Sequence, residues 1–545
     1  MTRRDTTSSP LRLPAMTGTT RILGLCASFI FSIGLFFTPV GAQDRVTVIE
    51  NGRVLDGSGN PWRYANVAIQ GDRIVRIGDT ADLRPDRVID ANGLYVTPGF
   101  VDVHSHAGPA LASPWLGLSH AEPLLAMGVT TVFVNPDGGG PVDQAAQREM
   151  LLAEGLGVNV AQLVPHGSIR REVIGSEDRH ASVAEMERMR SLVISGMEQG
   201  AWGLSSGTFY VPGSYAPPEE IEELAIDVAS YGGTYTSHYR DESTYSVGLI
   251  AAVDEVINVG RVAGLPVVLT HVKALGPLVW GFGRAIVSRV DRAREEGVQV
   301  FADQYPYTAS ATGLEAALLP RWSQAGGRDA LLTRMANTDT MARIREGMEA
   351  GLERRGGAER IQFRRYRPDP TIEGRLLSEL AEERGQDPID TAVDLIRGGG
   401  VSIVSYNMHD DDVETLMAQS WTMTSSDGGL VQMGEGVPHP RTYGAFARKL
   451  RLYVNEKGTV DLAHAIRSMT SLPAAVFQMP DRGILREGAI ADIAVFDLEK
   501  VRDVAEYTDP HHYSEGMIHV FVNGVTVVSG GDFTGQRPGR VLRKR

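Results

Sequence analysis

Between residues 98 and 430 the chain alternates short apolar runs with longer segments of helical period. The runs are GFVDVHSH (99–106), TTVFVNPD (130–137), VNVAQLVPHG (158–167), AWGLSSG (201–207), TYTSHYR (234–240), PVVLTHVK (266–273), VQVFADQYPY (298–307) and SWTMTSSDG (420–428). Alternation of strands with helices marks a parallel sheet covered by its own crossovers. Eight such units predict an α/β fold, a (β/α)8 barrel. Helix punctuation agrees. VAEMERMRSLVISGMEQG opens on the capping box Ser182–Glu185, and PEEIEELAIDVASYG has prolines before it and glycine after it.

The stretch 312–419 is too long for one crossover. It is charged and helix-rich, and it reads as an insertion before the last barrel strand, placed to cover the barrel mouth. Its basic run RRYRP (364–368) reads as a solvated helical face in preference to a basic partner site. Outside the barrel, 45–97 and 483–530 carry short β segments with turn punctuation, such as YANVAIQGDRIVRIGD and GMIHVFVNGVTVVSGG. Segments at opposite ends of the chain are expected to meet in one small β-sandwich. The plan is therefore a leader (1–42), the first sandwich part (43–97), the barrel (98–480, insertion about 312–419) and the second sandwich part (481–545).

Composition changes the picture only at the N-terminus. Arg21, the apolar run ILGLCASFIFSIGLFF and the small-residue site Val40-Gly41-Ala42 make a signal peptide, with Met16 an alternative start. The run is short for a membrane span, so export to the periplasm or medium is expected, with no stable membrane insertion after cleavage. The only cysteine, Cys26, lies in that run, which excludes disulfides and cysteine metal ligands from the mature chain. Removing residues 1–42 takes away four arginines and one aspartate and moves the net charge from −14 to −17. Such an acidic chain does not suit a nucleic-acid partner.

Chemistry concentrates at the C-terminal ends of the proposed strands, where barrel active sites are built. The first ends in His104-Ser105-His106, and residues two apart on a strand share a face. His238, His271 and Asp427 end the fifth, sixth and eighth strands. Imidazole and carboxylate donors converging this way suit zinc or a similar first-row metal.

GFVDVHSH, GLSSGTFYVPGSYA, TSHYRDE, LTHVK, DQYPYTAS, SSDG, HPRTYGAFARKL and REGAIADIAVFD, in this order, resemble the amidohydrolase superfamily and, within it, the N-acyl-D-amino-acid deacylase (D-aminoacylase) family. The resemblance implies a barrel with a flanking β-sandwich, and amide hydrolysis at a centre of one or two Zn2+ ions. It implies a small N-acyl amino acid as substrate, of D configuration. Such a centre lowers the pKa of water and polarises an amide carbonyl. Asp427 takes the catalytic aspartate's place, as general base and then acid. Arg441 matches the position that holds the substrate carboxylate, a task suited to a guanidinium fork. Tyr210 and Lys273 resemble further carboxylate or carbonyl contacts, and Tyr305 and Ser310 are expected to line the site. His166, Arg170 and His439 resemble supporting loop residues, while His409 is expected at the surface.

Two departures sharpen the reading. The superfamily's cyclic-amide hydrolases often bridge two metals with a carboxylated lysine on strand four, and AWGLSSG has none. The deacylase family commonly places a metal-binding cysteine in a TTVVVGNCG-like segment, where TTVFVNPDG puts Asp137. Carboxylate is a harder ligand than thiolate, it can bridge two ions, and it resists oxidation outside the cell. Asp137 is thus a candidate ligand, against the plainer alternative of a helix N-cap.

Overall fold

The computed structural model describes residues 45–544, so the expected signal peptide at 1–42 lies outside the described residues. The eight barrel strands are β1 (Phe100–Asp102), β2 (Val129–Val134), β3 (Asn159–Gln162, continued by Val164–Pro165), β4 (Gly203–Gly207), β5 (Thr234–His238), β6 (Val267–Leu269), β7 (Val300–Gln304) and β8 (Thr422–Thr424). Neighbours pair in parallel from β1 to β8. The ring closes where the Asp427 amide donates to the His104 carbonyl (2.9 Å) and the His106 amide to the Gly428 carbonyl (2.8 Å). These strands are almost wholly buried, as a parallel sheet covered on both faces requires. Val101, Val103, Phe133, Ala161, Leu163, Val268 and Met423 belong to one core that continues onto Leu472–Met479.

β8 is shorter than the run SWTMTSSDG suggested. After Thr424 the chain leaves the ladder, and the Ser426 amide and hydroxyl donate instead to the buried Asp102 carboxylate. β3 is split at Leu163, and the chain's C-terminal tail fills the gap. Val541–Leu542 pairs with Val160 and Ala161, the Trp202 indole donates to the Leu542 carbonyl (3.0 Å), and the Lys544 amide donates to Gly200 (3.0 Å). The tail end of the segment 481–545 is thus hydrogen-bonded to the barrel.

The rest of the two terminal segments forms one continuous nine-stranded sheet. Its seam is the antiparallel pairing of Tyr95–Pro98 with Ile493–Phe496. Ile49, Val67, Ile69, Ile74, Val96, Ile493 and Phe521 share its core. Pro98 leads directly into β1, so this seam ties the sheet to the start of the barrel.

The insertion contains helices, among them Gly327–Ala336, Thr338–Arg354, Leu377–Arg384 and Pro388–Gly398. It also contains an antiparallel sheet that pairs Ser310–Gly313 and Ile361–Arg365 with a central Ser402–Ser405. The basic run begins on a strand, which corrects the expectation of a helical face there. Ile361 and Phe363 alternate into the insertion core beside Ile344, Met348 and Ile403, a period of two instead of 3.6.

Candidate functional site

The barrel mouth opens into a cavity of about 860 Å3. His106, Asp137, His238, His271 and Asp427 line it, with His104 buried directly beneath. Asp137 does not cap a helix. The next helix starts on Asp143, whose carboxylate accepts from the Ala145 and Ala146 amides. Asp137 instead takes a left-handed turn (φ 55°) that folds its side chain over the mouth. Its neighbours hold it there. The Asn135 side chain exchanges hydrogen bonds with Gln147 (2.8 Å each way), and the Gly138 amide donates to Ser205 Oγ (3.2 Å). A Cβ on Gly138 would sit 2.9 Å from the Gly167 nitrogen and 3.0 Å from that of Gly207, at a φ of +69°. Glycine alone fits that turn.

Asp137 stands between two sets of donors. Oδ1 lies 3.5 Å from His104 Nε2, 3.8 Å from His238 Nδ1 and 3.6 Å from His271 Nε2, and Oδ2 lies 3.4 Å from His106 Nε2. Asp427 Oδ1 is 3.2 Å from His106 Nε2 and 3.6 Å from His104 Nε2. Most of these separations are long for hydrogen bonds. They match donors that share one ion at about 2.0–2.2 Å each. His104, His106, Asp137 and Asp427 form one candidate group, and Asp137, His238 and His271 a second. Among the described residues, His104 Nε2, both nitrogens of His238 and Asp137 Oδ1 are buried without a hydrogen-bond partner. Buried polar atoms of this kind call for a partner, and cations bound at Asp137 would supply one to His104 Nε2, to Asp137 Oδ1 and to the His238 nitrogen that faces Asp137. Four imidazoles and two carboxylates, with Asp137 shared, therefore fit one or two ions of the zinc type.

Electrostatics give the same answer. Burial opposes charge on Asp137, yet His104, His106 and His271 outweigh it and hold the carboxyl well below the usual range. Burial likewise opposes charge on Asp427, and Arg441, His106 and His104 overcome it. His104 loses by burial but gains more from Asp137, Asp427 and Asp303, which push it up to about 10. His238, where burial dominates, falls to about 3. The carboxylates thus create a place for positive charge, which a proton on His104 takes when no metal does.

Sequence reasoning missed the residues that orient this cluster. Glu242, four positions after His238 in TSHYRDE, receives Lys273 Nζ (2.5 Å) and stands 3.2 Å from His271 Nδ1. Lys273 Nζ also hydrogen-bonds His271 Nδ1 (2.7 Å), so the Lys273–Glu242 pair fixes the ring from its Nδ1 side and turns Nε2 towards Asp137, the usual way such ligands are oriented. Asp303, on β7, accepts from the His271 amide (2.9 Å) and the Ser425 hydroxyl (2.6 Å), with Oδ2 3.9 Å from His104 Nδ1. Asp102 is buried beneath Ser426, and burial pushes its carboxyl up to about 7. All three carboxylates sit in motifs already noted, but only their contacts assign them.

The expected substrate contacts divide. Arg441 begins the helix Arg441–Arg448, binds Asp427 Oδ2 at 2.8 Å and lies 4.6 Å over the Tyr305 ring. His439 fixes it by accepting from its backbone amide (3.0 Å). Tyr210, beside His238, is 3.3 Å from Thr312 Oγ1, and Ser310 bonds Asn407. Tyr210, Tyr305, Ser310 and Lys273 all line the cavity, although Lys273 is engaged by Glu242. His166 and Arg170 are not part of this site and pair with the buried Glu220. His409 caps the helix Asp410–Met417.

Residues 87–528 match the model of the Amidohydrolase family. The chain belongs to that family. An N-acyl-D-glutamate deacylase of Alcaligenes xylosoxydans xylosoxydans is 34% identical over 91% of this chain and 96% of its own length. A D-aminoacylase of the same organism is 32% identical over 91% and 97%. A crystal structure of N-acyl-D-glutamate deacylase from Bordetella bronchiseptica, complexed with zinc and a phosphonate inhibitor that mimics the tetrahedral intermediate, superposes with a TM-score of 0.78 at 31% identity, covering 92% of this chain and 100% of that one.

Proposed function

We propose that this amidohydrolase removes the acyl group from N-acyl-D-amino acids at a zinc centre, releasing a carboxylate and a free D-amino acid. The observation that carries the reading is Asp137 shared between two donor groups, with Asp427 of the first group held by Arg441. The D configuration is supported by the activities of the relatives above.

His104, His106, Asp137 and Asp427 would hold one ion, and Asp137, His238 and His271 a second. The metal supplies an activated water and polarises the amide carbonyl. The chain's own residues do the rest. Arg441, with Tyr210 and Lys273 lining the same cavity, receives the substrate's α-carboxylate. Asp427 is a weak base while Arg441 neutralises it. A substrate carboxylate that draws on the same guanidinium relaxes this hold, so binding makes Asp427 more basic as the reaction begins. Asp427 then takes the proton of the attacking water and returns it to the departing amine. Export belongs to the same proposal. It is supported by the leader-like residues 1–42 and by a thiol-free cluster suited to an oxidising compartment.

The test is metal-reconstituted protein assayed on matched N-acetyl-D- and N-acetyl-L-amino acids. Amine release from the D members alone is expected. Release from neither, with metal bound, overturns the deacylase reading. Release from the L members alone overturns the stereochemistry.

A further inference from the structure

The cavity lining carries more positive charge than its neighbours need. Lys273, Arg355, Arg364 and Arg441 line the cavity together with the carboxylates Asp137, Glu242 and Asp427. Asp427 is taken by Arg441, Glu242 by Lys273, and Asp137 by the imidazoles. That leaves Arg355 and Arg364, both from the insertion. Arg355 is buried, donates to Ser405 Oγ (3.0 Å), and among the described residues has no partner for Nε. Arg364 makes no ion pair among the described residues, although the adjacent Arg365 pairs with Glu435. Arg355 is buried and Arg364 partly so, and an arginine drawn out of water without a counter-charge is costly unless a ligand supplies one.

The backbone aims Arg364 deliberately. Ile361, Gln362 and Phe363 pair with Ser405, Val404 and Ile403, and the next pair is Arg365 with Ser402. Arg364 is therefore the extra residue of a β-bulge, the device that redirects a side chain beside a binding site. Phe363 on one side is locked in the insertion core, and the Arg364 carbonyl accepts from Val437 (2.9 Å). Burial and the nearby Arg441 bring the guanidinium down to about 10, which still leaves it charged at neutral pH. Elsewhere the cavity is lined by the apolar Pro109, Trp115, Met150 and Leu430.

We propose that Arg364 is a specificity-determining residue that binds a second carboxylate of the substrate, so that this protein favours dianionic N-acyl amino acids over monoanionic ones. The inference rests on the deacylase reading above and names its substrate class. The second carboxylate comes either from the amino-acid side chain or from a dicarboxylic acyl group.

Two isosteric pairs separate these sources: N-acetyl-D-glutamate against N-acetyl-D-glutamine, and N-succinyl-D-leucine against N-succinamoyl-D-leucine. In the metal-loaded wild type, one acidic member should exceed its amide in kcat/KM by roughly 10- to 100-fold, the reach of one charge-assisted hydrogen bond. Arg364→Met should bring that ratio close to one, and Arg364→Lys should restore part of it. The pair that responds identifies the source. A wild type with no preference in either pair, or a preference that Arg364→Met leaves intact, overturns the proposal. Calorimetry with the non-hydrolysable N-methylsulfonyl-D-glutamate and N-methylsulfonyl-D-glutamine keeps the test separate from turnover. Preferential binding of the glutamate that depends on Arg364 supports the proposal even if no amide is cleaved. Equal binding of the two, with equal turnover in both pairs, refutes it.

Discussion

Replacing Asp137 tests the centre most directly, because this one carboxylate belongs to both donor groups. Without it the first group keeps His104, His106 and Asp427, and the second keeps only His238 and His271. A four-ligand structural zinc site is worth about 10–16 kcal/mol in all, so one ligand carries about 3 kcal/mol, or roughly 100-fold in affinity. Asp137→Ala should therefore bind its first ion about 100-fold more weakly and should not retain a second through dialysis. The backbone at Asp137 is left-handed, a conformation alanine resists and asparagine tolerates. Asp137→Asn is thus the control that keeps shape and φ while removing the charge, and it should lose metal as alanine does. Asp137→Cys should recover at least one ion, since a thiolate is itself a zinc ligand. The assay is elemental analysis after dialysis, with chelator competition for affinity and thermal unfolding to confirm the fold. Wild-type stoichiometry and affinity in a folded Asp137→Ala or Asp137→Asn would refute the shared-ligand argument.

Asp427→Asn should keep the first ion, held by His104, His106 and Asp137, and lose turnover by roughly 100- to 10,000-fold; full activity with metal bound would sink its role as base. Glu242→Gln should weaken the ion held by His238 and His271 by roughly 10- to 100-fold by freeing Lys273, which holds His271 Nδ1, read as a second-site chelator constant; an unchanged constant would mean the Lys273–Glu242 pair does not orient His271. Metal-free protein should show a pH signature. The folded His104 pKa of about 10 lies above its ordinary 6.5, so its contribution to stability is complete below about pH 6.5 and is lost as pH rises towards 10. The depressed Asp137 and Asp427 act oppositely, contributing above the ordinary 3.8 and losing that contribution as pH falls below it. Unfolding midpoints of the metal-free chain should therefore fall from pH 7 to pH 9, and zinc should remove the fall. A flat or rising midpoint in the metal-free protein would refute the assigned cluster.

What the sequence disclosed follows from its periodicities. His104 and His106 share a strand face, and His238, His271 and Asp427 follow apolar strands, so local pattern was enough to bring them together. Asp137 needed the alignment of TTVFVNPDG with a cysteine position, because an aspartate before glycines equally suits a turn. Asp303 lay hidden because VQVFADQ reads as a buried strand in which a carboxylate has no visible partner; its partners, His271 and Ser425, arrive from two other strands. Glu242 sits beyond the end of β5, where periodicity no longer assigns a face. The two-residue strand Val541–Leu542 is too short to leave any pattern. Arg364 was misread as helical surface because its direction depends on a one-residue slip against Ser402–Ser405, some forty residues away.

The strand ends themselves show why these positions are sensitive. Asp137, His271 and Asp427 adopt φ values of 55°, 38° and 47°, a region that side chains other than glycine rarely occupy. Each costs on the order of 1–3 kcal/mol, and none would persist without support. Support is visible at each one: Ser205 binds the Gly138 amide beside Asp137, Asp303 accepts from the His271 amide, and the Asp427 amide donates to the His104 carbonyl as the ring closes. The left-handed turn is what bends each side chain from the strand direction over the barrel axis, where the donors meet. Barrel closure and donor geometry are therefore one feature. A substitution that loosens the Asp427–His104 hydrogen bond should disturb the centre even with all six donors present, whereas changes in the terminal sheet, which adjoins the start of β1, should leave it intact.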